Sequence, residues 1–193
     1  LRSRFIDKGY KVSQIGTKKI SGLFGLHPLP DFLFNTQYSD VDKVYAFNRV
    51  MKDVSMQEKP DVILLGIPDS LLPLNNKHRF SFGLYAYEIF NAVQPDFVIT
   101  SLMANDGYND EFYSEISKMA KYKYNVNIDA YFVSQFCPLS NSIWSEKLSY
   151  VYLSRMELPK TEYKVYTTSD LNNDILFKQA EKKLLLYGKY EQY

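Results

Sequence analysis

The sequence predicts an α/β domain built on a doubly wound, mostly parallel sheet with helices on both faces. Three features lead there. Val62-Ile63-Leu64-Leu65 is an unbroken apolar run, whereas a strand with one wet face would alternate polar and apolar residues, so both of its faces are expected to be covered. Pro-Asp precedes an apolar stretch twice, at Pro60 and at Pro95, and proline is tolerated where a strand begins because its missing N–H lies outside the ladder. Finally, helix-to-strand turns are short, while the segments leaving the strands at Gly16, Pro68 and Ser134 are long. In such sheets the long loops gather at the carboxyl edge, where ligands bind.

The elements follow in chain order. Residues 1–8 read as the last turns of a helix that begins upstream, stopped by Gly9. Tyr10–Ile15 is the first strand, and Gly16–Tyr38, with its glycines, prolines and weak periodicity, is a long loop. Ser39 with Asp42 has capping-box spacing, and Val44, Phe47, Met51 and Val54 continue along one helical face. After the strand at Val62 and a loop over Pro68–Arg79, the positions Phe82, Ala86, Ile89, Phe90 and Val93 form one buried stripe of a third helix. Phe97–Leu102 is a strand. Asn109 then caps a helix with Asp110 and Glu111 in its first turn and Lys118, Lys121 and Lys123 toward its end, matching the macrodipole at both ends. Its apolar stripe is Phe112, Ile116, Met119 and Ala120. Ile128–Val133 is the next strand, Tyr150–Leu153 and Val165–Tyr166 are short ones, and a final helix runs from about Asp170 to Tyr187.

Composition narrows the function. With 193 residues the chain suits one α/β domain spanning 1–193. Lys+Arg 23 against Asp+Glu 22 leaves a formal charge of +1, so no basic field advertises nucleic acid. Tyr 17 and Phe 13 are high, yet only YKYNV at Tyr122 interleaves aromatic and basic residues, and it reads as a helix end rather than a base-stacking platform. The single cysteine, Cys137, excludes an intrachain disulfide framework and a cysteine metal cluster, and points to a reduced, cytoplasmic setting. No apolar run is long enough to span a membrane, and LRSRFIDKGYKV lacks a signal-peptide core. Because residue 1 is Leu, the chain is expected to be the carboxyl-terminal part of a longer protein, with its first βα unit upstream.

The residues delivered to the carboxyl edge are the candidate site. Gly16, Thr17 and Lys18 follow the first strand. Gly66, which lets a backbone or ligand approach closely, is followed by Asp69 and Ser70, which offer an acceptor and a hydroxyl. Asn75 and Arg79 lie just before the third helix, whose start favours an anion, and Asn105 with Asp106 follow the strand at Phe97. Asp69 and Asp106 are the preferred polar contacts, Lys18 and Arg79 the anion ligands. Each of these residues also suits ordinary turn chemistry. Neither His27 nor His78 has a metal partner at helical spacing, Cys137 has no neighbouring His, and no Gly-rich phosphate loop or nucleophile elbow occurs.

FIDKGYKVSQIGTKKISGLFGLHPLPDF, PDVILLGIPDSLLPLN, SFGLYAYEIFNAVQPDFVI and NDEFYSEISKMAKYKYN together resemble the carboxyl-terminal domain of clostridial peptide-maturation-system proteins. The resemblance implies a natural-product cluster carrying radical-SAM enzymes and short precursor peptides, and so an accessory role in maturing a ribosomally made peptide such as a bacteriocin. It implies a precursor peptide or a radical-SAM maturation enzyme as partner and specifies no cofactor, and the accessory role is expected to work by binding a peptide, a partner enzyme or a nucleotide at the carboxyl edge of the sheet. This chain departs from the family at Asp69-Ser70, where the family more often has Gly-Gly. The order of helix, KGYKVSQIG strand and long loop is also similar to Rossmann-like domains or degenerate phosphate-loop NTPases. Two other functions remain open: a nucleotide-dependent enzyme whose phosphate loop lies upstream of residue 1, and a small-molecule-binding module.

Overall fold

A computed structural model describes all residues of the chain except 74, 106, 155, 157, 159, 169, 171–173 and 188–193. The chain is mixed α/β with mostly parallel, open sheets. It divides into two compact units, Leu1–Gln94 and Pro95–Tyr193.

In the first unit, α1 (Arg2–Asp7) ends at Gly9, whose φ of +90° suits glycine alone. Next come β1 (Val12–Gly16), β2 (His27–Pro28), α2 (Asp40–Glu58), β3 (Val62–Leu65) and α3 (Leu84–Ala92). The strands pair in parallel in the order β2-β1-β3. The core holds Ile15, Leu29, Leu33, Phe47, Met51, Ile89 and Ala92, so α2 presents much of the expected stripe. Ser39 Oγ accepts the Asp42 N–H at 3.2 Å and donates to Asp42 Oδ2 at 2.6 Å, a cap that fixes where α2 starts.

Two expectations change. Gly16–Tyr38 is not featureless, since it contains β2 and two 3-10 turns, Lys19–Phe24 and Asp31–Phe34. The Leu29 N–H donates to Gly16 O, which folds the segment back along β1. Phe82 leaves the buried stripe: it is 52% exposed, with φ +56°. Its spacing was helical, but Ser81, Phe82 and Gly83 all have left-handed φ, so the regular helix starts only at Leu84 and Phe82 is out of register.

The second unit contains β4 (Ile99–Leu102), α4 (Asp110–Tyr124), β5 (Ala130–Val133), β6 (Phe136–Pro138), β7 (Tyr150–Tyr152), β8 (Val165–Tyr166) and α5 (Ile175–Tyr187). β4, β5 and β8 are parallel in that order, while β6 and β7 form an antiparallel hairpin. Asn109 Oδ1 accepts the Phe112 N–H at 2.9 Å, as the capping spacing predicts. The stripe of α4 is more aromatic than expected: Tyr113, Ile116, Ala120 and Tyr124 are buried. The Tyr113 ring packs 4.8 Å from Tyr131 and 5.5 Å from Tyr163. The Tyr131 hydroxyl donates to Tyr113 O, which satisfies the polar tip of a buried ring.

The two parallel strand pairs are built in one register. The Asp61 and Val62 N–H groups both donate to Lys11 O, and Asp61 Oδ2 accepts the Lys11 N–H at 2.7 Å. In the second unit the Asp129 and Ala130 N–H groups both donate to Val98 O, and Asp129 Oδ2 accepts the Val98 N–H at 2.9 Å. At the other end, the Gly66 N–H meets Ile15 O and the Ser134 N–H meets Leu102 O. The aspartate that matches Asp61 is therefore Asp129, and the second Pro-Asp, at Pro95, only leads toward β4. Even the buried hydroxyls correspond, Ser13 in β1 and Thr100 in β4. Among the described residues no helix is long and apolar enough to cross a membrane.

Candidate functional site

The buried residues of α2 are Lys43, Phe47, Met51 and Val54. One further turn along this spacing is Glu58, so an apolar stripe is charged at both ends. Each charge finds its partner far away in sequence.

At the carboxyl end, Glu58 Oε2 accepts the hydroxyl of buried Ser13 and Oε1 lies 2.5 Å from His27 Nε2. Ser13 comes from β1 and His27 from β2, strands held side by side by the Ile15–His27 pairing. The Ser13 hydroxyl is the largest influence on Glu58 and holds its carboxyl below the usual range, with burial opposing and His27 and Lys11 assisting. The order of the contacts limits the chemistry. A nucleophilic triad places the imidazole between hydroxyl and carboxylate; here the carboxylate lies in the middle, so Ser13 donates to Glu58 and is not activated by His27. Glu58 instead orients His27, holding Nε2 against its carboxylate so that Nδ1 is the other polar atom of the ring. A shallow pocket of about 350 Å³ lies directly after His27, lined by Pro28, Leu29, Pro30 and Asp31.

At the amino end, Lys43 Nζ donates to Glu88 Oε1 at 3.1 Å. Glu88 is 0% exposed, and Oε2 is buried with no hydrogen-bond partner among the described residues. Burial pushes the Glu88 carboxyl up, against the pull of Lys43. The geometry is that of a structural ion pair between α2 and α3. Nothing in the spacing of either residue announced it, because Glu88 falls beside Ile89 on what reads as an apolar stripe.

The carboxyl-edge candidates divide. Gly16, Thr17 and Gly66 come together at the ends of β1 and β3: a Cβ on Gly66 would lie 2.9 Å from Thr17 Cγ2, and one on Gly16 would lie 2.2 Å from Ser21 Oγ. Both glycines are thus required by the protein's own packing. Lys18 is exposed at the start of a 3-10 turn. Asp69 has a left-handed φ of +67°, and Ser70 Oγ donates to Leu72 O and accepts the Leu72 N–H, a local turn. Asn75 Oδ1 accepts from the Lys77 and His78 N–H groups. Arg79 Nε donates to Asn76 O and its guanidinium stacks over Phe82; with α3 starting at Leu84, Arg79 is not at that helix end. In the second unit Asn105 Oδ1 accepts the Gly107 N–H at 2.7 Å, and Asp106 lies outside the described residues. Among the described residues no cluster of His, Cys, Asp and Glu could hold a metal ion.

The carboxyl edge of the second unit carries a different surface. Ser134 N–H to Leu102 O and Ala104 N–H to Phe136 O tie the β6–β7 hairpin to the end of β4. Phe136, Leu139, Trp144, Tyr150, Val151 and Tyr152 are all exposed, Trp144 to 66% and Tyr152 to 59%. Ser142 braces the loop: its Oγ donates to Leu139 O and accepts the Ser149 N–H. Cys137 is a half-buried free thiol within the hairpin. The sequence marked Tyr150–Leu153 as a strand, but its exposure depends on what packs beside it. No family model, curated protein or solved structure matches the chain.

Proposed function

We propose that the chain is a binding module, an accessory protein in the maturation of a ribosomally synthesised peptide, which engages a precursor peptide or its radical-SAM maturation enzyme at the carboxyl edge of its strands. One observation carries the reading: Phe136, Tyr150 and Tyr152 stand exposed on one face of the hairpin at the ends of β4 and β5, with Leu139, Trp144 and Val151 also exposed on it, and exposed apolar patches mark interaction sites. Within this reading the fold is Rossmann-like or a degenerate phosphate-loop-NTPase-like domain, working in the cytoplasm without nucleic acid or membrane. The test is titration calorimetry of the purified protein against the precursor peptide and the maturation enzyme encoded beside its gene. Micromolar or tighter binding to either, weakened at least tenfold by Trp144→Ala, is expected; heat from neither partner overturns the reading.

A further inference from the structure

We infer that the outer edge of β7 receives an extended, uncharged peptide segment as a third strand of the β6–β7 sheet, an inference that rests on the peptide-binding reading above. The hairpin pairs Phe136 with Tyr152, Cys137 with Val151 and Pro138 with Tyr150. The flanking bonds, Leu153 N–H to Gln135 O and Leu139 N–H to Ser149 O, set which pairs face inward. In an antiparallel ladder, pairs that exchange hydrogen bonds alternate with pairs that do not. Positions 135, 137 and 139 therefore bond to 153, 151 and 149, and the backbone groups of Phe136, Pro138, Tyr150 and Tyr152 point away from the partner strand.

The two outer edges then differ. On β6, Phe136 O already accepts the Ala104 N–H at 2.8 Å, and Pro138 has no N–H to offer. This is how proteins commonly blunt an edge. On β7, the N–H and C=O of Tyr150 and of Tyr152 have no bond among the described residues, and no described strand lies alongside. The two residues stand about 7 Å apart along the strand, the spacing at which alternate residues of an incoming strand present their own N–H and C=O. Their side chains share a face with Phe136, whose ring meets that of Tyr152 edge-on at 5.5 Å, so an aromatic surface flanks the open edge.

Charge and size choose the occupant. Residues 136–152 carry one acid, Glu146, and one base, Lys147, so the hairpin sets up no net field for a nucleic-acid backbone, an anionic membrane or a charged peptide. A second copy pairing β7 with β7 would rest on a three-residue strand about 10 Å long, too short an edge to supply by itself the roughly 1,200 Å² that a stable interface buries. An extended peptide segment of about three or four residues matches both the length and the hydrogen-bond pattern.

The experiment uses the full chain and the fluorescently labelled precursor peptide encoded beside its gene. Tyr150→Pro deletes one outward N–H and leaves the inward ladder bonds of β7 in place, so binding is expected to weaken about tenfold with little change in Tm. As a check that does not depend on a variant folding, hydrogen exchange is expected to show the Tyr150 and Tyr152 amides becoming protected when peptide is added. Undiminished binding by folded Tyr150→Pro, or amides that stay unprotected in the complex, overturns the edge inference while leaving peptide binding intact. Wild-type protein that ignores the peptide overturns both. Protection of the same amides by self-association, or by phosphatidylglycerol vesicles in place of peptide, also overturns it.

Discussion

Glu58 and Lys43 are the same kind of residue used in two ways: long charged side chains that close the ends of an apolar stripe, one near solvent and one sealed off. Glu58 has a depressed carboxyl, so it contributes stability above its unfolded value of 4.5, and that contribution is lost as pH falls through the lower folded value. Its side chain is 36% exposed, so after discounting for solvent screening the effect is on the order of 1 kcal/mol. Glu58→Gln is expected to flatten the acid side of a urea-stability profile taken between about pH 7 and pH 3; an unchanged slope would refute this account of the carboxylate. Lys43→Met should cost more, about 3–5 kcal/mol, because it strands a buried charge. Its raised carboxyl lets Glu88 take up a proton as pH falls, so the penalty should shrink in acid. Adding Glu88→Leu should recover most of the loss, and chemical denaturation of the single and double variants tests both statements.

Helices and strands here are delimited by short-range chemistry and joined by backbone clasps. α2 and α4 both end on a non-glycine residue in the left-handed region, Lys59 at φ +46° and Asn125 at φ +56°. Asn adopts that conformation at less cost than Lys. Lys59→Gly is therefore expected to raise stability by about 1 kcal/mol and Asn125→Gly by less, as thermal melts would show. Gly16 is constrained from the side: an added Cβ would meet the buried Ser21 side chain at 2.2 Å. Gly16→Ala should cost about 1–3 kcal/mol, and Ser21→Gly in the same chain should restore most of it; failure to rescue would show that the glycine serves another purpose. Phe82 and the tyrosines of α4 illustrate how far spacing can be trusted. Ile116 and Ala120 are buried as their spacing predicts, but spacing also placed Phe82 on a helix that Gly83 delays, and it gave no sign that Tyr113 would anchor an aromatic cluster.

Two parallel strand pairs with matching clasps, Lys11–Asp61 and Val98–Asp129, provide each compact unit with its own stable centre. Native-state hydrogen exchange is expected to find the slowest amides in β1 and β3 and in β4 and β5, with the exposed β6–β7 hairpin exchanging earlier. Equal protection across the hairpin and the parallel pairs would contradict this. Most strands and helices were legible in the chain because caps, apolar runs and Pro-Asp lead-ins act over a few residues. The carboxyl-edge glycines were legible as positions but not in their role, since Thr17 and Ser21, which occupy the space beside them, are recognisable only once the segment folds back. Ser13 with Glu58 and Lys43 with Glu88 are each 45 residues apart, and no periodicity links them. Local side-chain and backbone preferences thus suffice to say what each segment becomes and that the strands run mostly parallel. Which polar groups meet, which glycine is crowded and which strand edge stays open depend on long-range packing, where a side chain's partner is set by position in space rather than by its neighbours along the chain.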